Sequence, residues 1–496
     1  MAQPQEEKNK VDNPSIEFDR MSQSWELLHA LKGGTQSMRN GKEQWLPKEP
    51  RESYTAYNNR LSRSFLYNAF RDTVDKLVSK PFSRPVTCQG MLPDRLEQVK
   101  DNMDMNGRDI TQFAREMFTS AVTYGCTHIL IDFPKFSPTA TLADERASGV
   151  RPVFIHVQPT QVIGWRTETK ENGEDELVQV RIHERKIEAD GLFGGKEIDY
   201  IRVYTPTTYE LWRKDPASQQ EDYVLVEEGE HSYGAIPLVT YYISRTGTMT
   251  ASPPLEDLAW LNLAHWQSMS DQRNILRFAR VGLLFAAGFS EEEMEEGITI
   301  GPSQLIRSTN SDAKVSYVEH NGNSIGAGQE DLTKLEERMK VLGLQPLVQR
   351  SGNQTATGRA LDESRTHTAI QAWIRSLENT LREAFEIAAR WIKIELPSDF
   401  SIDINNDFGL SERAVDDIDS LIKMRSTNQL SSKTFLQEVK RRGLLSEAVD
   451  VEEELQAVEE EGLPLSSMFA PTPPPNEKET SEDEEDEDEE GIKYDG

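Results

Sequence analysis

The stretch EERMKVLGLQPLVQRSGNQTATGRALDESRTH (residues 336–367) changes character twice. It begins as a helical pattern that lasts to about Leu344. It then passes through a small polar segment, Gln349–Gly358, with no acid and one full charge, Arg350. From Arg359 to Leu396 a second helical pattern places Leu361, Ile370, Trp373, Ile374, Leu377, Leu381, Phe385, Ala388, Trp391 and Ile392 at three- and four-residue spacing, and Pro397 ends it. At about 1.5 Å per residue, an unbroken helix of this length spans roughly 57 Å. That is long for one globular domain, where helices average about eleven or twelve residues. Asp362 and Glu363 fall in its first turn, where carboxylates suit the helix dipole.

Upstream, SPPLEDLAWLNLAHWQSMSDQRNILRFAR (252–280) has a broad apolar stripe, with Ser252 and two prolines suited to a helix start. Its middle, QSMSDQRN, is polar for two turns, which predicts a face turned to water. Between this helix and the one at 330–348 lies a compact insertion, expected to hold short strands (VGLLFAAGF, KVSYVEHNGNSIGAG) and one small helix. Residues 127–245 are rich in Val, Ile, Tyr and Thr with turn-forming punctuation, and predict an antiparallel β region of roughly 110 residues. Helices are predicted over 64–80, stopped by Pro81, and over 109–125, with Asp109 as N-cap and Gly125 just past the C-terminus. After FSIDIN come small helices over 411–461, with Ser411 and Ser431 or Ser432 as caps and Gly443 as a stop.

The 496 residues allow two to four domains. Mean hydropathy is −0.63 with 28% charged residues, which predicts a soluble chain. No run of 18 apolar residues suggests a membrane span, and the first 20 residues lack the apolar core of a signal peptide. Cys88 and Cys126 make no disulfide framework. The formal charge is −30. Residues 476–496 hold 12 acids and two lysines, a composition expected to stay disordered. The remaining chain is still strongly acidic, whereas proteins that grip nucleic acid present a basic footprint. A local basic rim is left open by this balance.

No P-loop, HExxH, GxSxG or GxGxxG occurs. The eight histidines are scattered, with His156 and His183 expected in strands and His265 and His367 on helices. Asp416 and Asp417 read as first-turn acids of a helix. Glu291, Glu292 and Glu293 lack the alternation of a calcium loop and read as a solvated turn. No enzyme site, cofactor or metal is expected.

The order of parts resembles a tailed-bacteriophage portal protein, the subunit of the ring through which DNA is packaged and ejected. The resemblance covers about residues 50–460 and rests on three stretches: 252–274, 336–367 and NQLSSKTFLQEVKRRGLLSEAVDVEEELQAVEEE (428–461). It implies an α+β portal fold: a flexible arm (1–50), a wing (51–251), a stem helix (252–281), a clip (282–326), a second stem helix (327–345), a tunnel loop (346–358), a long helix returning to the wing (359–410), a helical crown (411–469) and an acidic tail (470–496). The tail is a departure from the family that the resemblance does not explain.

As function, the resemblance implies a conduit for double-stranded DNA, bound without sequence specificity. The chain would assemble with itself, as a dodecamer, and be found at one vertex of the virion after assembly in the host cytoplasm. Other implied partners are the terminase large subunit, the major capsid and scaffolding proteins, and head–tail adaptors. Gln349, Arg350, Ser351, Gly352, Asn353, Gln354 and Thr355 would face the channel, and Glu291, Glu292, Glu293 and Arg307 would form the clip interface. Trp373 and Trp391 would gain burial from neighbouring subunits. The alternatives are a non-portal scaffold or adaptor with an acidic, DNA-mimicking tail, an enzyme without recognisable motifs, and, for the loop alone, a plain solvent-exposed connector.

Overall fold

The computed structural model describes residues 10–132, 150–215, 222–231, 233–281, 283–291, 308–318, 323–344, 356–406, 421–427, 429–441, 445 and 449–460. They fall in two compact units, Met1–Phe408 and Gly409–Gly496.

The first unit opens with α1 (Ile16–Asn40), α2 (Tyr54–Arg63), α3 (Ala69–Ser79), β1 (Thr87–Gln89), α4 (Asp94–Asp101) and α5 (Ile110–Tyr124). In place of the flexible arm expected over residues 1–50, α1 buries Trp25, Leu28, Leu31 and Met38 in the core. Its periodicity is hidden because Gly34, at φ +77°, breaks the helical geometry midway. The helix expected over 64–80 starts only at Ala69. Asn68 is its cap: its side-chain oxygen accepts the Arg71 N–H (3.0 Å), and its amide donates to the Leu31 carbonyl (2.7 Å). α5 matches expectation. Asp109 accepts the Gln112 N–H at 2.7 Å. Gly125 ends the helix at φ +94°, where a Cβ would lie 2.5 Å from the Ser252 carbonyl oxygen.

The β region divides into two sheets. β2 (Cys126–Asp132) is the centre of a three-stranded sheet, between β3 (Val153–Val157) and a later strand, β9 (Leu238–Tyr242). Between them in sequence run β4 (Val162–Thr169), β5 (Asp175–Asp190), β6 (Gly194–Tyr204), β7 (Thr208–Lys214) and β8 (Tyr223–Glu230), a five-stranded meander in chain order. A 3₁₀ turn at Pro159–Gln161 carries the chain from one sheet to the other. A small hairpin, β10 (Arg245–Gly247) and β11 (Thr250–Ala251), follows. Then come α6 (Glu256–Val281), β12 (Leu283–Ala287), β13 (Lys314–Val318), α7 (Asn323–Leu344), α8 (Ala356–Trp391) and β14 (Ser401–Asp403), which pairs with β1. All described strand pairs are antiparallel, so the architecture is α+β.

The core lies where α8 and α5 pack on the three-stranded sheet. Ile370, Ile374, Leu377, Leu381, Phe385 and Ala388 form one fully buried stripe of α8. Phe385 meets Phe154 and Phe400 at ring distances of 5.1 and 5.4 Å. Trp373 and Trp391 need no neighbouring subunit for contact, because both pack against this same core. The long helix stops at Trp391, short of Leu396. There Lys393 adopts φ +56° and the Ile394 N–H turns back to the Ala389 carbonyl.

In the second unit, α9 (Ser432–Arg441) and α10 (Val451–Glu460) pack together. Ser431 caps α9 by accepting the Thr434 N–H (3.2 Å), and Asp450 caps α10 through the Glu452 N–H (2.7 Å). Lys433 and Glu452 pair across the two helices at 2.6 Å. Ser411, Asp416, Asp417, Gly443 and the acidic tail lie outside the described residues.

Two histidines sit inside the three-stranded sheet. His128 Nδ1 is 3.0 Å from Thr240 Oγ1, and His156 Nε2 is 2.8 Å from Thr127 Oγ1. Burial holds His128 down to about 3, helped by proximity to His156. Burial holds His156 down to about 4, with Arg108 and Lys32 contributing. Both rings are therefore neutral in the fold at neutral pH, while the unfolded chain protonates them near 6.5. Below that pH the unfolded state binds more protons, so stability falls as pH drops from about 6.5 towards 4, by about 1.4 kcal/mol per pH unit for each histidine. Denaturant melts of wild type and His128→Asn across this range should give a shallower pH slope for the variant; parallel slopes would contradict the assignment.

Candidate functional site

Helices α6 and α7 form an antiparallel hairpin. Ser268 Oγ donates to Asp331 (3.1 Å), His265 Nε2 lies 3.3 Å from Glu336, and Gln272 Nε2 donates to the Ile325 carbonyl (2.9 Å). Rising numbers on one helix thus meet falling numbers on the other. Two glycines on α7 allow close approach: a Cβ on Gly328 would overlap Gln272, and one on Gly343 would lie 2.5 Å from Thr73 Oγ1 of α3. Gly326 and Gly328 also hide the first turns of α7, which the sequence places in the insertion. At the far end of the hairpin, β12 and β13 pair from Leu283↔Val318 to Ala287↔Lys314.

The polar middle of α6 is divided, with Asp271 and Arg273 exposed and other side chains turned inward. Ser270 and Gln272 are buried. Ser270 Oγ is 2.8 Å from Ser64 Oγ, and Gln267 donates to the Trp45 carbonyl at 3.1 Å. Asp271 lies 3.5 Å from Arg60, whose side chain is only 5% exposed. Arg60 also makes a two-pronged pair with Glu52 (2.9 and 2.8 Å) and donates to the Pro47 carbonyl (2.8 Å). The hydrogen bond from Arg60 pulls the Glu52 carboxyl below its ordinary range and raises the guanidinium further. The inward side chains of the two polar turns are satisfied by the chain's own residues 45–64 and by α7.

The expected channel residues Gln349, Arg350, Ser351, Gly352, Asn353, Gln354 and Thr355 lie outside the described residues, between the end of α7 at Leu344 and the start of α8 at Ala356. Of the expected clip residues, Glu291 is described and exposed, just past β12; Glu292, Glu293 and Arg307 are outside the description. His156 and His183 lie in strands, as expected, and His183 Nε2 is 3.1 Å from Asp199. His265 is fully buried in the hairpin, and desolvation lowers it against the opposing pull of Glu336. Cys126 is buried and its thiol is pushed up to about 12, so it stays protonated and unreactive. Among the described residues, no group of three or more His, Cys, Asp or Glu is placed to hold a metal, and no helix is long and apolar enough to cross a membrane.

A basic groove was not foreseen. It is lined by Arg39, Arg60, Arg63, Arg273, Arg277 and Arg280, with a volume of about 630 Å³. Its residues come from three separate parts of the sequence, so no local run of basic residues announces it.

A family model described as a domain of unknown function, DUF4055, matches residues 254–392, from just before α6 to just past the end of α8. No curated protein matches the chain. Among solved structures, a chain from the neck of an empty GTA particle computed with C6 symmetry is similar at TM-score 0.43 and 10% identity, over 75% of this chain and 89% of that one. A chain from the virion of a native gene transfer agent particle scores 0.38 at 9% identity, over 75% and 88%. At these scores neither likeness settles what this chain does.

The hairpin is anchored by Asn262, which is fully buried on α6. Its Oδ1 accepts the Phe70 N–H (3.0 Å) and its Nδ2 donates to the Tyr67 carbonyl (2.8 Å). Asn262→Ala strands both groups, at about 1–3 kcal/mol for each one left buried and unmet. Chemical denaturation should show a loss of about that size; a change within about 0.5 kcal/mol would mean that water or a shifted backbone replaces the amide.

Proposed function

We propose that the chain is the subunit of a ring that conducts double-stranded DNA through one vertex of a phage-like particle. The observation that carries this reading is the hairpin: two antiparallel helices hold a small strand pair at their far end and lead, through residues 345–355, into a 36-residue helix anchored in the sheet. This is the stem, clip, loop and long-helix order of a portal subunit. The strong negative charge favours passage of DNA over retention, since a duplex is held by cations that displace its counterions. Arg350, repeated in each subunit, is the loop's contact with phosphate. The role is structural: terminase docks at the clip during packaging, and adaptor proteins replace it afterwards.

Mass measurement and negative-stain microscopy of the purified chain test the ring. The expected particle has about a dozen copies around a central hole, and a strict monomer across all salt concentrations would sink the proposal. Docking is tested by replacing residues 288–313, between β12 and β13, with a short turn. The expected variant keeps its wild-type melting behaviour and loses capture of the terminase large subunit; undiminished capture would move the docking surface elsewhere.

A further inference from the structure

We infer that the arginine groove beside α6 is a second nucleic-acid contact, a seat for a short run of phosphodiester backbone. This goes beyond the channel reading and does not require the chain to form a ring.

Six arginines line one groove in a chain whose formal charge is −30. Three are fixed by their own contacts. Arg39 donates twice to the Ser64 carbonyl (3.0 and 2.7 Å), Arg60 is held by Glu52, and Arg273 lies 4.6 Å over the Phe65 ring. The other three, Arg63, Arg277 and Arg280, are exposed, and no carboxylate lines the groove among the described residues. Glu52 and Asp271 both face Arg60.

Arg273, Arg277 and Arg280 stand at spacings of four and three along α6, so they share one face and span about 10 Å. One DNA strand presents about three phosphates over that distance. An open guanidinium fork binds phosphate with two parallel hydrogen bonds, and Asn274 at the groove supplies an amide donor of the kind that commonly accompanies such contacts. The helix C-termini of α1, α2 and α6 each carry basic residues in their last turn, which complements their dipoles. Dipole compensation does not account for Arg273, two turns before the end of α6, or for the convergence of all three ends on one groove.

The test uses the purified full chain and a fluorescently labelled 30-base-pair duplex, with anisotropy read from 50 to 200 mM salt. An Arg63→Gln, Arg277→Gln, Arg280→Gln variant is compared with a control of equal charge loss on the five-stranded sheet, Arg185→Gln, Lys186→Gln, Lys196→Gln. The groove variant should bind at least tenfold more weakly, with the salt slope flattened by about 2–3, while the control stays within about threefold of wild type. If the triple variant melts early, Arg277→Gln alone should flatten the slope by about one. Wild type without salt-dependent binding would overturn the proposal. So would equal losses in both triple variants, or a groove variant that keeps DNA binding but falls to a smaller oligomer, which would make the groove a contact for an acidic face of a second copy. Particle mass measured on the same samples separates this outcome from failure of the ring.

Discussion

Helix α6 must bury polar side chains, and much of the first unit is arranged to let it. A fully buried Asn262 can exist only if both ends of its amide are met, and the segment Tyr67–Phe70 supplies the partners. The Tyr67 carbonyl can meet the amide because Asn68 caps α3 and the chain from Ser64 to Asn68 is not helical. Two turns later Ser270, Asp271 and Gln272 are met by Ser64, Arg60 and the backbone of α7. An apolar stripe can slide along a partner at little cost. Successive polar pairs tolerate one register only, because any shift orphans several groups together. The hairpin is thereby fixed in rotation and in height.

The polar middle of α6 was legible as an anomaly and misleading as to its cause. Sequence periodicity separates polar from apolar faces, but it cannot distinguish a polar face turned to water from one met by polar groups far away in the chain. Ser64 and Ser270 are 206 positions apart. The same limit hid the arginine groove, whose members near residues 39, 60 and 277 belong to three helices. Signals that act within a few residues were readable: Asp109 and Gly125 around α5, Ser431 before α9, and the stripe from Ile370 to Ala388. Helix α1 was missed because Gly33 and Gly34 interrupt its pattern, and the early start of α7 because Gly326 and Gly328 look like loop residues. At Gly328 the glycine serves close packing against Gln272.

Charge is partitioned unevenly. The five-stranded sheet pairs its charges locally across strands, as with Arg202 and Glu184 or Arg213 and Glu188. Surface pairs of this kind add little stability. They offset only part of the charge, since residues 162–230 hold 17 acids against nine bases. The groove at α6 is the opposite case: six arginines line it, and among the described residues no carboxylate does.

That imbalance limits what the groove can be. Arginines brought together for stability would be matched by carboxylates, as Arg60 is by Glu52. Here the matching stops at Arg60, and Arg63, Arg277 and Arg280 are left outward on a face with no acid. An extended polyanion can meet all three at once, whereas a single carboxylate meets one. The arrangement thus favours a ligand with repeated negative charge along a line.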